Sequence, residues 1–263
     1  DDEDIEFDNE IDAENTILTP GFIDSHTHPI FVSHRAHEYY LRSIGKKYEE
    51  INLSGGGINS SVNQVRKISE EDLYNLCIPR MDDFLFNGTT TIEAKSGYGL
   101  NLEDEIKLLN VIKKIDDNHA LDLIPTFLGA HSIPDEFKDD CPSYAELICN
   151  DIIPKISELK LAKFCDVFCE KGYFNYEISK KILETGKKFG LLPRLHADEF
   201  NDSNGLKLAI EIGAFSVDHL MESNESYFEA LSQSNTIATI LPGTTFFLGQ
   251  KNYVSARKMI DKG

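Results

Sequence analysis

Positive charge is scarce in this 263-residue chain: 26 lysines and arginines stand against 45 aspartates and glutamates, a formal net charge of −19. Nucleic acids and anionic membrane surfaces are polyanions that would repel such a chain, so neither is expected as a partner. A small molecule is the expected partner instead. Cysteine is also sparse and odd in number, at five (Cys77, Cys141, Cys149, Cys165, Cys169), which argues against a disulfide framework and suits a reducing compartment. Cys165 and Cys169 have C-x3-C spacing, but they sit in the apolar run FCDVFCE, which points to buried thiols rather than zinc ligands. No apolar stretch approaches the roughly 20 residues of a spanning helix, and the N-terminus lacks a signal-peptide pattern, so a cytoplasmic location is expected. Gly55-Gly56-Gly57 lacks the Lys-Ser/Thr of a phosphate loop and reads as flexible backbone. The first residue is Asp rather than Met, and Asp1 to Asn15 are rich in acids. That stretch reads as a solvated surface segment, and the missing Met leads us to expect a piece of a longer protein.

A chain of this length that is 41% hydrophobic can bury the core of one large domain. After Thr19-Pro20, short apolar runs alternate with longer helical ones. Strands are expected at GFIDSHTH, TTTIEAKSG, LDLIPTFLGAH, FCDVFCE, LLPRLHADE, FSVDHL and NTIATILPG. Helices are expected at SEEDLYNLCIPRMDDFLFNG, with Ser69 and Asp72 in capping-box positions, at NLEDEIKLLNVIKKI, SYAELICNDIIPKISELK, SKKILETGKKFG closed by Gly190, SNGLKLAIEIG and SNESYFEALSQSN. This alternation means βα units and a parallel sheet, either doubly wound or closed into a (β/α)8 barrel. The barrel explains more, because nearly every strand ends in polar chemistry: His26 and His28, Glu93 to Tyr98, His131, Glu170, His196 with Glu199, and His219. In a barrel the carboxyl ends of all strands ring one mouth. Pro29 to Ile68 is far longer than a usual βα connection, and we read it as a functional loop carrying Arg35 and Tyr48.

The spacing HxH at His26 and His28 puts both rings on one face of an extended strand, where they can address one atom. A lone histidine at a strand end is ordinarily a satisfied polar group. Five of the eight histidines (His26, His28, His131, His196, His219) fall at one barrel mouth, and that clustering points to a metal site; His34, His37 and His119 do not follow the pattern.

The segments TPGFIDSHTHPIF, KSGYGL, FLGAHSIP, LHADEF and DHL resemble the imidazolonepropionase family of the amidohydrolase superfamily. The resemblance runs from about Ile17 to Gly263. It implies an α/β fold, a (β/α)8 TIM barrel of the amidohydrolase type, with one zinc or iron ion. It also implies a small β-sandwich domain built from both chain ends, of which residues 1–19 would be a remnant, with 20–263 forming the barrel. By position, His26, His28 and His196 match the family's metal ligands. Arg35, Tyr98, His131 and Glu199 match its substrate contacts, Tyr48 less securely, and Glu199 with His219 match its catalytic pair. The implied reaction is metal-dependent hydrolysis of the cyclic amide of 4-imidazolone-5-propanoate to N-formimidoyl-L-glutamate in histidine degradation, and a homodimer of the whole protein is expected.

The residues suit that chemistry. Hydrolysis of a cyclic amide at neutral pH needs a nucleophile stronger than water and a proton donor for the departing nitrogen. A bound metal supplies the first by lowering the pKa of its water. Glu199 is placed to move the proton, His219 to stabilise the oxyanion or orient the water, and Arg35 to grip the propionate. Rival readings are a cytosine-deaminase-like aminohydrolase, a binuclear relative with a second metal at Glu170-Lys171, and a metal-free binding or structural relative on the same barrel. Two counts come up one short. Seven strands are visible where closure needs eight, and three histidines where a mononuclear site expects a further Asp after strand eight. SARKMIDKG reads as the helix before the missing strand. We therefore expect an open barrel, inactive and poorly soluble by itself; if it is active alone, Asp218 is the first candidate for the missing carboxylate.

Overall fold

The computed structural model describes residues 11–46, 50–51 and 56–263. Seven strands form a single parallel sheet in sequence order: β1 (Phe22–Thr27), β2 (Thr89–Lys95), β3 (Asp122–Ala130), β4 (Phe164–Cys169), β5 (Leu192–Ala197), β6 (Ser216–His219) and β7 (Ile237–Thr239). Each strand hydrogen-bonds to its sequence neighbours and helices intervene, which is the winding of a (β/α)8 barrel with one strand fewer. Among the described residues β1 and β7 are the two free edges, and Phe22, Ile23 and Ile237 on them are exposed.

All seven expected strands form; β2 to β6 are apolar runs buried for most of their length, while β1 and β7 at the free edges stay more exposed. β4 is the clearest case, buried at every position. Cys165 and Cys169 lie within it as buried free thiols, and burial pushes the Cys169 thiol up to about 12, so these cysteines pack as small apolar side chains. The caps also match. Ser69 accepts the Asp72 N–H at the start of the Glu70–Phe86 helix, and Gly190 takes a positive φ just past the Tyr176–Lys188 helix, where Leu191 N–H bonds back to Gly186.

Four local expectations need correction. Pro29 to Ile68 is not loop throughout, since Ala36–Ser43 and Gly57–Val65 are helical; the second packs Ile58, Val62 and Val65 into the core. SYAELICNDIIPKISELK is not one regular helix. Pro154 has no N–H to donate one turn back, and the run widens into a π-helical turn at Ile148–Ile152 between the Cys141–Leu147 and Ile153–Glu158 helices. SNESYFEALSQSN forms only a 3-10 turn, Glu225–Tyr227, followed by a short helix, Phe228–Ser232. NTIATILPG leaves the sheet after Thr239, and Pro242 starts the helix Pro242–Phe247, as a proline at a first helical turn readily does. Residues 11–21 are exposed and contain no strand. Gly55 lies outside the described residues; Gly56 and Gly57 cap and open the second loop helix.

Candidate active site and metal centre

Every strand from β1 to β6 delivers a polar side chain at or just past its carboxyl end. His26 is the penultimate residue of strand β1, and His28 follows that strand's last residue; His131 follows β3, Glu170 follows β4, His196 lies in β5 and His219 ends β6. The rings of His26, His28, His131, His196 and His219 gather with centroids mostly 4.5 to 5.8 Å apart. They line one cavity of about 390 Å³ together with Arg35, Tyr98, Glu199 and Phe247. The five histidines expected at the mouth are thus brought together, and Arg35, Tyr98 and Glu199 join them. Of the remaining three, His34 also lines the cavity. Tyr48 lies outside the described residues.

His26, His28 and His196 each present a ring nitrogen, and these three atoms lie within 4.8 Å of one another. Nε2 of His28 and Nε2 of His196 are 3.2 Å apart, close to the edge of about 3.3 Å that a tetrahedron with bonds of about 2.0 to 2.1 Å requires. Burial foremost, then neighbouring positive groups, holds all three imidazoles well below their ordinary pKa, so they are neutral and their lone pairs are available. The donor set fits a divalent cation that accepts imidazole, a description covering both zinc and iron.

Behind the three rings lies a buried ionic floor that sequence reasoning did not assemble. Asp218 Oδ2 is 2.7 Å from His26 Nδ1, fixing which nitrogen of that ring faces the cavity. Asp166 Oδ1 accepts the backbone N–H of His196 at 3.1 Å, while its Oδ2 lies 3.0 Å from His196 Nδ1 without hydrogen-bond geometry. Lys95 Nζ, fully buried, joins this floor through Asp166 (2.6 Å), Glu93 (2.8 Å) and Asp218 (3.6 Å), and Arg194 Nε reaches Glu93 at 3.2 Å. Burial would discharge Lys95, but Asp166, Glu93 and Asp218 outweigh it and raise its pKa. Glu93, Asp218 and His26 also approach metal-binding spacing, yet two cations already hold those carboxylates. Asp218 stands behind His26, engaged by Lys95 and Arg194. A sequence signal existed: Glu93 and Lys95, Asp166, Arg194 and His196, and Asp218 are the polar members of alternating strand positions, the period that points side chains to one face.

Beside the histidine trio, Glu199 Oε1 lies 3.5 Å from His219 Nδ1, and His219 Nε2 is buried without a hydrogen-bond partner. Burial, and secondarily the charge of Glu170, push the Glu199 carboxyl up to about 8, so it carries a proton at neutral pH. Burial lowers His219 to about 4 and keeps it neutral. His219 has φ 79° and the following Leu220 φ 60°, a left-handed pair that turns the chain sharply at the end of β6. His131 Nδ1–H donates to the Gly97 carbonyl at 3.0 Å. Gly97 (φ +100°) is required there, since a Cβ would meet the Leu128 carbonyl at 2.8 Å and His131 Nδ1 at 3.0 Å. Arg35 leaves a buried Nη1 without a hydrogen bond, 3.8 Å from Glu38, at the cavity wall.

No family model matches the chain. By sequence it is 47% identical over 253 residues to the imidazolonepropionase of Thermoanaerobacter pseudethanolicus, covering 96% of this chain and 61% of that protein. It is 45% identical to the imidazolonepropionase of Geobacillus sp. (strain WCH70), covering 96% of this chain and 59% of that protein. In fold it is similar to a 5-methylcytosine deaminase from Klebsiella pneumoniae, with TM-score 0.72, 15% identity and coverage of 98% of this chain and 64% of that one. A guanine deaminase from C. acetobutylicum gives TM-score 0.63 at 15% identity, over 92% of this chain and 58% of that one. At such identity these two establish the barrel and nothing more. The chain is thus similar in sequence to imidazolonepropionases along 96% of its own length, on a barrel fold, and it spans about three fifths of the length of those relatives.

Proposed function

We propose that the whole protein opens the ring of 4-imidazolone-5-propanoate by metal-dependent hydrolysis, giving N-formimidoyl-L-glutamate. The observation that carries this reading is the convergence of a neutral histidine trio and a protonated Glu199–His219 pair on one cavity, in a chain 43 to 47% identical to imidazolonepropionases. His26, His28 and His196 would hold one ion, zinc or iron, and the ion would supply a water acidic enough to attack at neutral pH. Glu199 carries the proton that the departing ring nitrogen needs, and its raised pKa suits a general acid. The unpartnered Nε2 of neutral His219, when it bears the hydrogen, donates to the oxygen that develops negative charge. Arg35 lines the cavity and keeps a buried Nη1 without a hydrogen bond, which suits the propionate carboxylate. Tyr98 and His131 stand against His28 at the same cavity, where they would touch the substrate.

The same reading takes residues 20–263 as the barrel and 1–19 as part of a small β-sandwich domain. It places the protein in the cytoplasm, as a homodimer with a small-molecule substrate. Among the described residues no helix is long and apolar enough to cross a membrane. A cytosine-deaminase-like reaction is the alternative on the same barrel, and it gives Arg35 no carboxylate to bind.

The test pairs turnover with metal analysis. The whole protein should consume imidazolone propanoate, and His196→Ala should lose both turnover and bound metal. Release of ammonia from cytosine with no loss of the imidazolone would transfer the assignment to the deaminase reading, and full metal content in His196→Ala would remove it from the ligand set.

A further inference from the structure

Glu170 sits one residue past β4, 1% exposed, behind the cavity wall rather than on it. Both of its oxygens are occupied. Oε2 accepts the backbone N–H groups of Glu199 (2.9 Å) and Phe200 (3.0 Å). Oε1 accepts from Asn201 Nδ2 (3.0 Å), Ser203 Oγ (3.3 Å) and the backbone N–H of Lys171 (3.0 Å). Four of these five donors belong to the turn that follows β5, a segment with no helix or strand of its own.

The turn needs such an anchor. Asp198 has φ 53°, a left-handed conformation that costs an ordinary residue free energy, and it sits directly before Glu199. The Asp198 carboxylate grips the far side of the turn through the N–H groups of Ser203, Gly205 and Leu206 and the Ser223 hydroxyl. Two buried carboxylates thereby draw the backbone donors of residues 199–206 inward. With its N–H directed at Glu170, Glu199 has its side chain turned the other way, into the cavity and toward His219.

We propose that Glu170 is a positioning residue, whose carboxylate clamps the turn and so aims Glu199 at the reacting atoms, and that it does not hold a second metal ion. A carboxylate offers two acceptor oxygens for donors arriving from both sides, whereas an amide has one acceptor oxygen and would set its own NH2 against donors. The inference rests on the acid role proposed for Glu199, but half of its test does not.

Glu170→Gln is measured in two ways. In the 263-residue chain, hydrogen exchange at the Glu199 and Phe200 amides should accelerate by about tenfold or more while amides in β3 and β4 keep their protection. In the whole protein, kcat should fall by about 10 to 100-fold, the range seen when a supporting partner is lost, with KM changed less than about threefold and metal per chain unaltered. Introduced into Glu199→Gln, the same change should cost less than about threefold more, because a clamp that acts only through Glu199 has nothing left to aim. If Glu170→Gln does not fold, Asn201→Ala removes one of the same bonds from the exposed side and should loosen the same two amides.

Unchanged exchange at both amides, an equal loss of kcat in the two backgrounds, or a drop in metal per chain would each overturn the proposal. Accelerated exchange in a protein that leaves imidazolone propanoate untouched would sink the proposed reaction and leave the clamp standing.

Discussion

Replacing Glu199 by glutamine should stabilise the metal-free chain, and by an amount that depends on pH in a defined way. In the folded protein burial, reinforced by the charge of Glu170, raises the Glu199 carboxyl from its ordinary 4.5 to about 8. Between those values the unfolded chain releases a proton that the native chain keeps. The contribution of Glu199 to stability is therefore fully present below pH 4.5 and is lost as pH rises through about 8. At 1.36 kcal/mol for each pH unit the loss reaches about 5 kcal/mol, an upper figure because a buried site relaxes. Glutamine mimics the protonated carboxyl and cannot ionise. Urea unfolding of the two proteins in chelator should thus give similar stabilities near about pH 4. The advantage of Glu199→Gln should then grow by about 1.4 kcal/mol per pH unit and level off above about pH 8. The histidines contribute to both proteins alike and cancel in the difference. A difference that stays flat from acid to alkaline pH would show that Glu199 is not held protonated, and the general-acid argument would lose its physical basis.

Lys95→Met removes the ammonium that holds Glu93, Asp166 and Asp218 together in a fully buried position, and it should destabilise the fold by about 3 to 5 kcal/mol in urea; a loss below about 1 kcal/mol would mean that Arg194 alone suffices. Gly97→Ala adds a Cβ at φ +100° against the Leu128 carbonyl and should cost about 1 to 3 kcal/mol, with KM rising as His131 is displaced. An unaltered midpoint and KM would show that the turn gives way freely. Arg35→Ala should weaken binding of a carboxylate-bearing substrate analogue by about 10 to 100-fold, the worth of a charge-assisted hydrogen bond, and should spare an analogue without the carboxylate. Calorimetry showing equal losses for both would detach Arg35 from the propionate.

What the sequence determined by itself is local. Apolar runs of six to nine residues bounded by turns read as strands, of which β4 is buried throughout, and Ser69 before an acidic first turn reads as a helix start. The HxH pair follows from strand geometry, and the strand-end rule places His131, His196 and His219 at the same mouth. The helices within Pro29 to Ile68 were less legible. Ala36–Ser43 is largely exposed, and Gly57–Val65 starts at a glycine without a side-chain cap, so neither carried a strong start signal. Only the tertiary structure decided how the carboxylates are used. Asp218 lies 192 residues from the His26 ring it orients, and Glu170 lies 29 residues from the Glu199 amide it accepts. Lys95 and Asp166, 71 residues apart, meet under the histidines. Strand periodicity says which face such a residue occupies, but its partner is chosen when the sheet curls and brings inward faces of separate strands together. The meeting of His26, His28 and His196 at one barrel mouth could be read from spacing and strand position, whereas the network that orients them exists only once the barrel has wrapped around it.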